Sequence, residues 1–551
     1  MKTDKHKFHK ISFAALPLCG MLLFCFALFN VSATAQNQPK MSSRILLVPL
    51  DDRPPTVQFV VKMGEIGDAE VITPPKEILG RFTEPGKPDE IIKWLRAQDL
   101  NSFDAAIVAL DMVAYGGLVA SRVHGDTNAE TALARIEILR ELKKINPRMP
   151  VYAQSVIMRL APTGTGANES YRQKLADWAE VSPYEDAESK KRTMQLEREI
   201  PAEAINDYKR ARARNLQINL KAVEMTRNGT IDRLILSQDD AKPRGIHVAD
   251  REKLIAETKR LNLTEKIAVQ PGADEVAMLL LARVITDKYD YRPKIKALYS
   301  SEELANKAMP YEDRALRETV SFHIKAVGAR EVTDEKTADL IFYVYPSRFE
   351  KNRAASFAEE IEAAIKRNKR VIVADVDSKG DVQGGDPAFT RELERRGLFP
   401  ELSGYAAWNT AGNTIGTALP QGVIFDTAQN KLMKSKARAT RVWTAQNWFT
   451  LNRLLDDFYY HTLTRAETKK FIAENNFNPI RLSDEAAEKV ENFAAEIMRG
   501  YFEKVGKEYF TRRAASMQKN VKCAKPSEMT FDLPWNRTFE AEIDFQLKCG
   551  S

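Results

Sequence analysis

The sequence predicts an α/β fold built on parallel strands, and three observations point to it. From residue 44 onward, short runs rich in β-branched residues alternate with helical patterns. The runs are continuously apolar, as strands buried on both faces are. Acids and amides stand just past the end of nearly every run, in one register that scattered surface acids would not keep.

The elements follow in order. The run at 45–50 opens the series, and Val57, Val60 and Val61 then recur at helical spacing before Gly67 closes the helix. Runs at 69–72 and 105–110 come next. A stripe of Leu133, Ile136, Leu139 and Leu142 marks a helix stopped by Asn146-Pro147. Runs at 151–158, 234–236, 267–270, 295–299, 340–344 and 371–374 bring the candidate strands to nine. Alternating β and α units imply right-handed crossovers. Eight such units close a (β/α)8 barrel of the triosephosphate-isomerase kind, the first expectation here. Nine strands also fit a six-strand unit joined to a smaller domain near Arg292. Residues 163–229 interrupt the rhythm as a charged helical insertion within an α/β catalytic domain spanning 44–464. A C-terminal extension at 465–551 follows, with helices to 517, one capped by Ser483 with Asp484 and Glu485 in its first turn. The stretch 531–547 alternates like a small strand pair.

The 551 residues are 44% hydrophobic and 29% charged, which excludes collagen-like, low-complexity and wholly disordered chains. Residues 1–35 read as a signal peptide: Lys2, Lys5, Lys7 and Lys10 precede an apolar run at 11–31, and Ala33-Thr34-Ala35 offers a cleavage site. An uncleaved anchor is the alternative. Residues 36–43 form a linker, and the expected location is the periplasm or the medium, with no membrane partner after cleavage. Removing the leader leaves 79 basic and 75 acidic residues, a mixed net +4 that argues against a nucleic-acid partner. Cys523 and Cys549 remain; a disulfide between them would close a loop of about 25 residues and contribute roughly 3 kcal/mol. Two free thiols are the alternative. The four histidines left (His124, His247, His323 and His461) are scattered, so a His-rich metal site or a Ser-His-Asp triad has little to draw on. No cofactor is expected.

Function in a parallel sheet collects at the carboxyl ends of its strands. There stand Asp51, Asp52 and Arg53; Asp111 with Tyr115, Gly116 and Gly117; Gln238, Asp239 and Asp240; Asp274 and Glu275; Asp375 and Asp377; and Trp408, Asn409, Thr410 and Asn413. Each has a structural reading beside the functional one: helix caps for the acids, a turn for the glycines, core for the tryptophan. An aromatic beside amides and hydroxyls also suits sugar recognition. Asp239-Asp240 is the sharpest signal, because two adjacent carboxyls repel and one is kept protonated, able to act as an acid. Strand neighbours point to opposite faces, so both reach one cavity only if the strand ends before Asp239. Tyr208, Arg212, Asn215 and Asn219 share one helical face, a polar stripe that suggests a lining role.

Three segments carry a resemblance: Leu47-Val48-Pro49-Leu50-Asp51-Asp52-Arg53-Pro54, Leu236-Ser237-Gln238-Asp239-Asp240 and Tyr405-Ala406-Ala407-Trp408-Asn409-Thr410-Ala411-Gly412-Asn413-Thr414. They resemble the bacterial domain of unknown function 4127 family across most of the mature chain, which implies no reaction. Asp239-Asp240 is also similar to the acidic pair of retaining β-N-acetylhexosaminidases. That likeness implies that Asp239 orients the substrate's acetamido group while Asp240 protonates the leaving oxygen, an exception to the usual two-carboxylate scheme. The first expectation is therefore an exported glycoside hydrolase with a carbohydrate substrate. Asp239 and Asp240 would be catalytic and the other rim residues would shape the pocket. The alternatives are a hydrolase holding Mg²⁺ or Ca²⁺ on Asp51, Asp52, Asp111, Asp239 and Asp375, or a non-catalytic periplasmic sugar-binding protein.

Overall fold

A computed structural model of the chain describes residues 40–381, 383–511 and 521–550. The predicted signal peptide, residues 36–39 of the predicted linker and residues 512–517 of the predicted C-terminal helices lie outside the described residues. Two all-parallel sheets organise the molecule. The first contains β1 (Ser43–Val48), β2 (Ala69–Ile72), β3 (Ala105–Ala109), β4 (Val151–Ile157), β5 (Arg233–Gln238) and β6 (Ile267–Pro271), in the order β2-β1-β3-β4-β5-β6. The second contains β7 (Lys294–Tyr299), β8 (Arg330–Glu331), β9 (Leu340–Tyr345), β10 (Arg370–Asp375) and β11 (Gly404–Ala406), in the order β11-β10-β9-β7-β8. Both sheets start centrally, step outward by one strand, then cross back over the first. That doubly wound pattern leaves a crevice at the carboxyl ends of β1 and β3, and of β7 and β9.

The α/β class and parallel strands stand. Among the described residues the strand pairing joins neither sheet into a ring, and the six-strand unit followed by another near Arg292 matches the pairing. The chain between the sheets gives the reason. Helix Val276–Lys288 is buried on nearly every side, so it needs protein all around it. It packs on β3 and β4 of the first sheet and on helix Ala411–Lys431, which in turn packs on β9, β10 and β11. An outer-ring barrel helix, by contrast, keeps one face in water. The main apolar core runs through these two helices from Ile45 and Ile107 to Phe342 and Ile372. A second core covers the other face of the first sheet, through Leu46, Val108 and Leu236. The β8 and β11 strands, two and three residues long, are too short to show as apolar runs.

Between β4 and β5 stand helices Arg172–Val181, Ala187–Glu199 and Ala202–Arg227, sharing a small core of Leu175, Trp178, Leu196 and Tyr208. After the second sheet, helices Lys436–Leu454, Leu455–Thr464 (a π-helix), Arg465–Glu474 and Asp484–Thr511 lead to a β tail. In that tail β12 (Lys522–Cys523) pairs with β15 (Cys549–Gly550) and β13 (Ser527–Asp532) with β14 (Glu542–Gln546). Cys523 and Cys549 form a disulfide. Among the described residues no helix is long and apolar enough to cross a membrane.

Candidate functional site

The carboxyl ends of both sheets open onto one cleft of about 690 Å³. It is lined by Arg53 after β1, Arg159 after β4, Gln238, Asp239 and Asp240 at β5, and Asp274 after β6. The second sheet's side adds Glu312, Gln383, Asn409, Thr410 and Asn413, and the β tail adds Trp535, Arg537 and Phe539.

Strand β5 ends at Gln238, so Asp239 and Asp240 are free of the strand's alternation and both line the cleft. The Asp240 N–H donates to Asp239 Oδ1 at 3.0 Å, turning the chain between them. Arg122 holds Asp239 by two hydrogen bonds, Nε–H at 3.1 Å and Nη2–H at 2.6 Å, and Arg159 holds Asp240 at 2.5 Å. Burial would raise the Asp239 carboxyl, but Arg122 and Arg159 outweigh it and hold the group below the ordinary carboxylate range. Burial pushes Asp240 up, aided by the charge of Asp239 and opposed by Arg159. The two neighbours thus shift in opposite directions.

A second knot closes the β1 end. Arg53 donates to Asp51 (2.6 Å), Asp274 (2.7 Å) and Glu540 (2.9 Å), all buried. Burial lifts Asp274 to about 6, with Arg53 pulling against it. Trp535 lies under the Arg53 and Arg537 guanidiniums at 4.6 and 4.5 Å, and its indole N–H donates to Asp52 at 2.5 Å. Burial raises the Asp52 carboxyl to about 6. Trp535 sits at φ 64°, where a bulky residue costs of order 1–3 kcal/mol, offset here by its three partners.

On the far wall Glu312 accepts from the Gly412 N–H at 2.5 Å and from the Thr319 hydroxyl at 2.8 Å, and burial raises its carboxyl. Asn409, at φ 58°, donates its N–H to the Gln383 carbonyl and holds that loop at the cleft. Thr410 caps helix Ala411–Lys431 by accepting the Asn413 N–H. Asn413 Oδ1 and Gln238 Oε1 are buried without a hydrogen-bond partner among the described residues. Two amide oxygens at a cleft wall are positions that a polyhydroxylated ligand satisfies.

Other candidates lie elsewhere. Trp408, expected as a sugar platform, is in the core: its indole N–H donates to Thr417 and its ring meets Phe59 edge-on. Tyr208, Arg212, Asn215 and Asn219 are not among the residues that line this cleft. Their polar atoms donate to backbone carbonyls of Ser121, Val156 and Met158 to Leu160, clamping the segments that carry Arg122 and Arg159. Gly116 and Gly117, at φ 91° and 120°, serve close backbone packing; a Cβ on Gly116 would stand 2.7 Å from Gly86 backbone. Asp111 accepts the Val156 N–H and is raised to about 7 by burial, while Tyr115 stacks under Arg214. Glu275 accepts the Ala273 N–H and faces His323 at 3.4 Å, behind the wall. Asp375 accepts the Asp386 N–H, and Asp377 accepts the N–H groups of Lys379, Gly380 and Gln383. Each of the five acids of the metal alternative has a hydrogen-bond partner of its own. Among the described residues no group of three His, Cys, Asp or Glu side chains is arranged to hold a metal.

Sequence reasoning missed Arg122, Arg159, Glu312, Trp535, Arg537 and Glu540. Arg159 stands directly after a predicted strand, so the rule that found Asp239 also finds it. The signal for the tail was Trp535 to Glu540, where an aromatic-rich, charged stretch with Pro534 interrupts the strand alternation. Comparison with curated proteins gave no match to the chain. The profile of one family matches residues 45–544, nearly the whole length. The chain belongs to that family, described as Protein of unknown function (DUF4127).

Proposed function

We propose that this protein is an exported glycoside hydrolase acting on N-acetylated amino sugars. Asp240 gives its proton to the glycosidic oxygen as the bond to the anomeric carbon breaks. The substrate's own acetamido oxygen attacks that carbon, and Asp239 stays charged to orient and polarise the acetamido group. Water then opens the cyclic intermediate, and the Asp240 carboxylate takes its proton. One observation carries the reading: two adjacent carboxyls line the same cleft with opposite pKa shifts, the pattern by which neighbouring acids divide acid and base roles. The unpaired Asn413 and Gln238 oxygens support a sugar's hydroxyls as their partners, and a disulfide supports an oxidising compartment.

A panel of aryl glycosides incubated with the purified mature chain tests this. Release of the aryl group from N-acetylhexosaminides is expected. Thermal stabilisation by the same sugars without turnover would overturn it in favour of a sugar-binding protein, the reading that the pairing of both acids with arginine favours.

A further inference from the structure

We propose that the outer edge of β6 is a docking groove for an extended acidic peptide of a partner protein, which adds to the first sheet as a further strand. Among the described residues β6 is the last strand of its sheet and pairs with β5 alone. The Lys266 carbonyl accepts from the Leu234 N–H, and the Gly272 N–H donates to the Gln238 carbonyl. Even-numbered residues of β6 therefore pair inward, and Ile267 and Val269 face outward. The Ile267 N–H is taken by the Leu263 carbonyl, which among the described residues leaves the Ile267 C=O and both backbone groups of Val269 for a neighbour.

A groove of about 470 Å³ runs beside residues 264–269, with Ile255, Leu280 and Phe322 on its walls. Thr258, 3% exposed, also lines it, with a hydroxyl that has no partner among the described residues. An apolar channel along an open strand edge is what strand addition uses: main-chain bonds supply affinity and the walls select alternate side chains. The rim selects the sign. Arg233, Lys259, Lys266, Arg283, Arg314 and Lys325 line the groove against Glu252 and Glu265. Arg283 is bound by Asp287 and Lys325 by Glu265. Lys259 and Lys266 have no carboxylate within 4 Å among the described residues. Both are exposed, and both are free to meet acidic side chains. The chain's own basic leader has the wrong sign to fill the groove.

The test uses the full mature chain and a fluorescein-labelled, end-blocked octapeptide of alternating Glu and Val, read by fluorescence anisotropy. Saturable binding is expected, weakened at least tenfold in the Lys259→Glu/Lys266→Glu double variant with its thermal midpoint unchanged. Of two peptides N-methylated on every Val or on every Glu, one should lose binding and the other keep it, since only one edge of the added strand faces β6. Three results would overturn the proposal: no saturation below about 1 mM, equal binding by both methylated peptides, or equal competition by dextran sulfate, which would mark a general anion site. Hydrolysis of aryl glycosides by the double variant should match the parent.

Discussion

The two sheets share one winding order, yet their carboxyl-end crevices have opposite fates. At the first, Arg53, Asp239, Asp240 and Asp274 face an open cleft. At the second, Ser347, Arg348, Asp375, Asp377 and Asp386 are all nearly inaccessible and are consumed by their own loop. Arg348 donates to the Gly384 carbonyl, Asp386 accepts the N–H groups of Phe349 and Phe389, and Asp377 gathers three N–H groups of 379–383. Topology brings polar residues to such a crevice; whether they face a ligand depends on whether the chain's own backbone reaches them first. The second crevice then serves the first, because its loop delivers Gln383 to the cleft wall.

The widest separation between the two crevices should appear in paired substitutions. Asp239→Asn should lower kcat/KM about 10³-fold, as loss of a positioned catalytic carboxylate does, and should also lower the thermal midpoint by leaving buried Arg122 without its carboxylate. Arg348→Ala should cost about 3–5 kcal/mol of stability, leaving Asp377 buried without its cation, while kcat/KM falls far less than in Asp239→Asn. Denaturant melts and steady-state kinetics on both variants check this, and an exchange of the two phenotypes would collapse the contrast.

A smaller effect is expected at the tail that closes the first crevice. Cys523→Ser with Cys549→Ser should cost about 3 kcal/mol and raise KM, because the strands flanking Trp535 to Glu540 lose their covalent tie. Stability loss with an unchanged KM would detach the tail from the site.

The pH dependence of the second crevice has a definite sign. Burial raises Asp375 from 3.8 to about 8, so the folded state keeps a proton that the unfolded state has lost. The stability this group contributes is full below about 3.8 and is lost as pH rises to about 8. Asp375→Asn should therefore flatten the fall in thermal midpoint between pH 5 and 8; parallel curves would refute the assignment. The smallest change is expected from Trp408→Phe, which removes one buried hydrogen bond worth about 1 kcal/mol and should leave sugar affinity alone.

The strand series and its polar ends were legible because apolar runs and terminal acids are local signals. Partition into two sheets was harder to see. The deciding segment, helix Val276–Lys288, announces itself only as an all-round apolar helix, and its two covers are far apart in sequence. The tryptophans make the same point. Trp408 sits beside Asn409, Thr410 and Asn413 in sequence, but its ring turns to the core, while Trp535 reaches the cleft from a distant tail. The Tyr208 to Asn219 stripe was legible as unlike a solvated face. Its targets, the carbonyls behind Arg122 and Arg159, depend on tertiary packing that spacing alone does not encode.

The account rests on Asp240 as the proton donor, and leaving-group dependence probes that most directly. For Asp240→Asn, kcat/KM on a 2,4-dinitrophenyl N-acetylhexosaminide, which reports the first step alone and whose leaving group departs without a proton, should stay within about tenfold of the parent, while kcat/KM on the matching alkyl glycoside falls by about 10³. Equal losses on both substrates would contradict it.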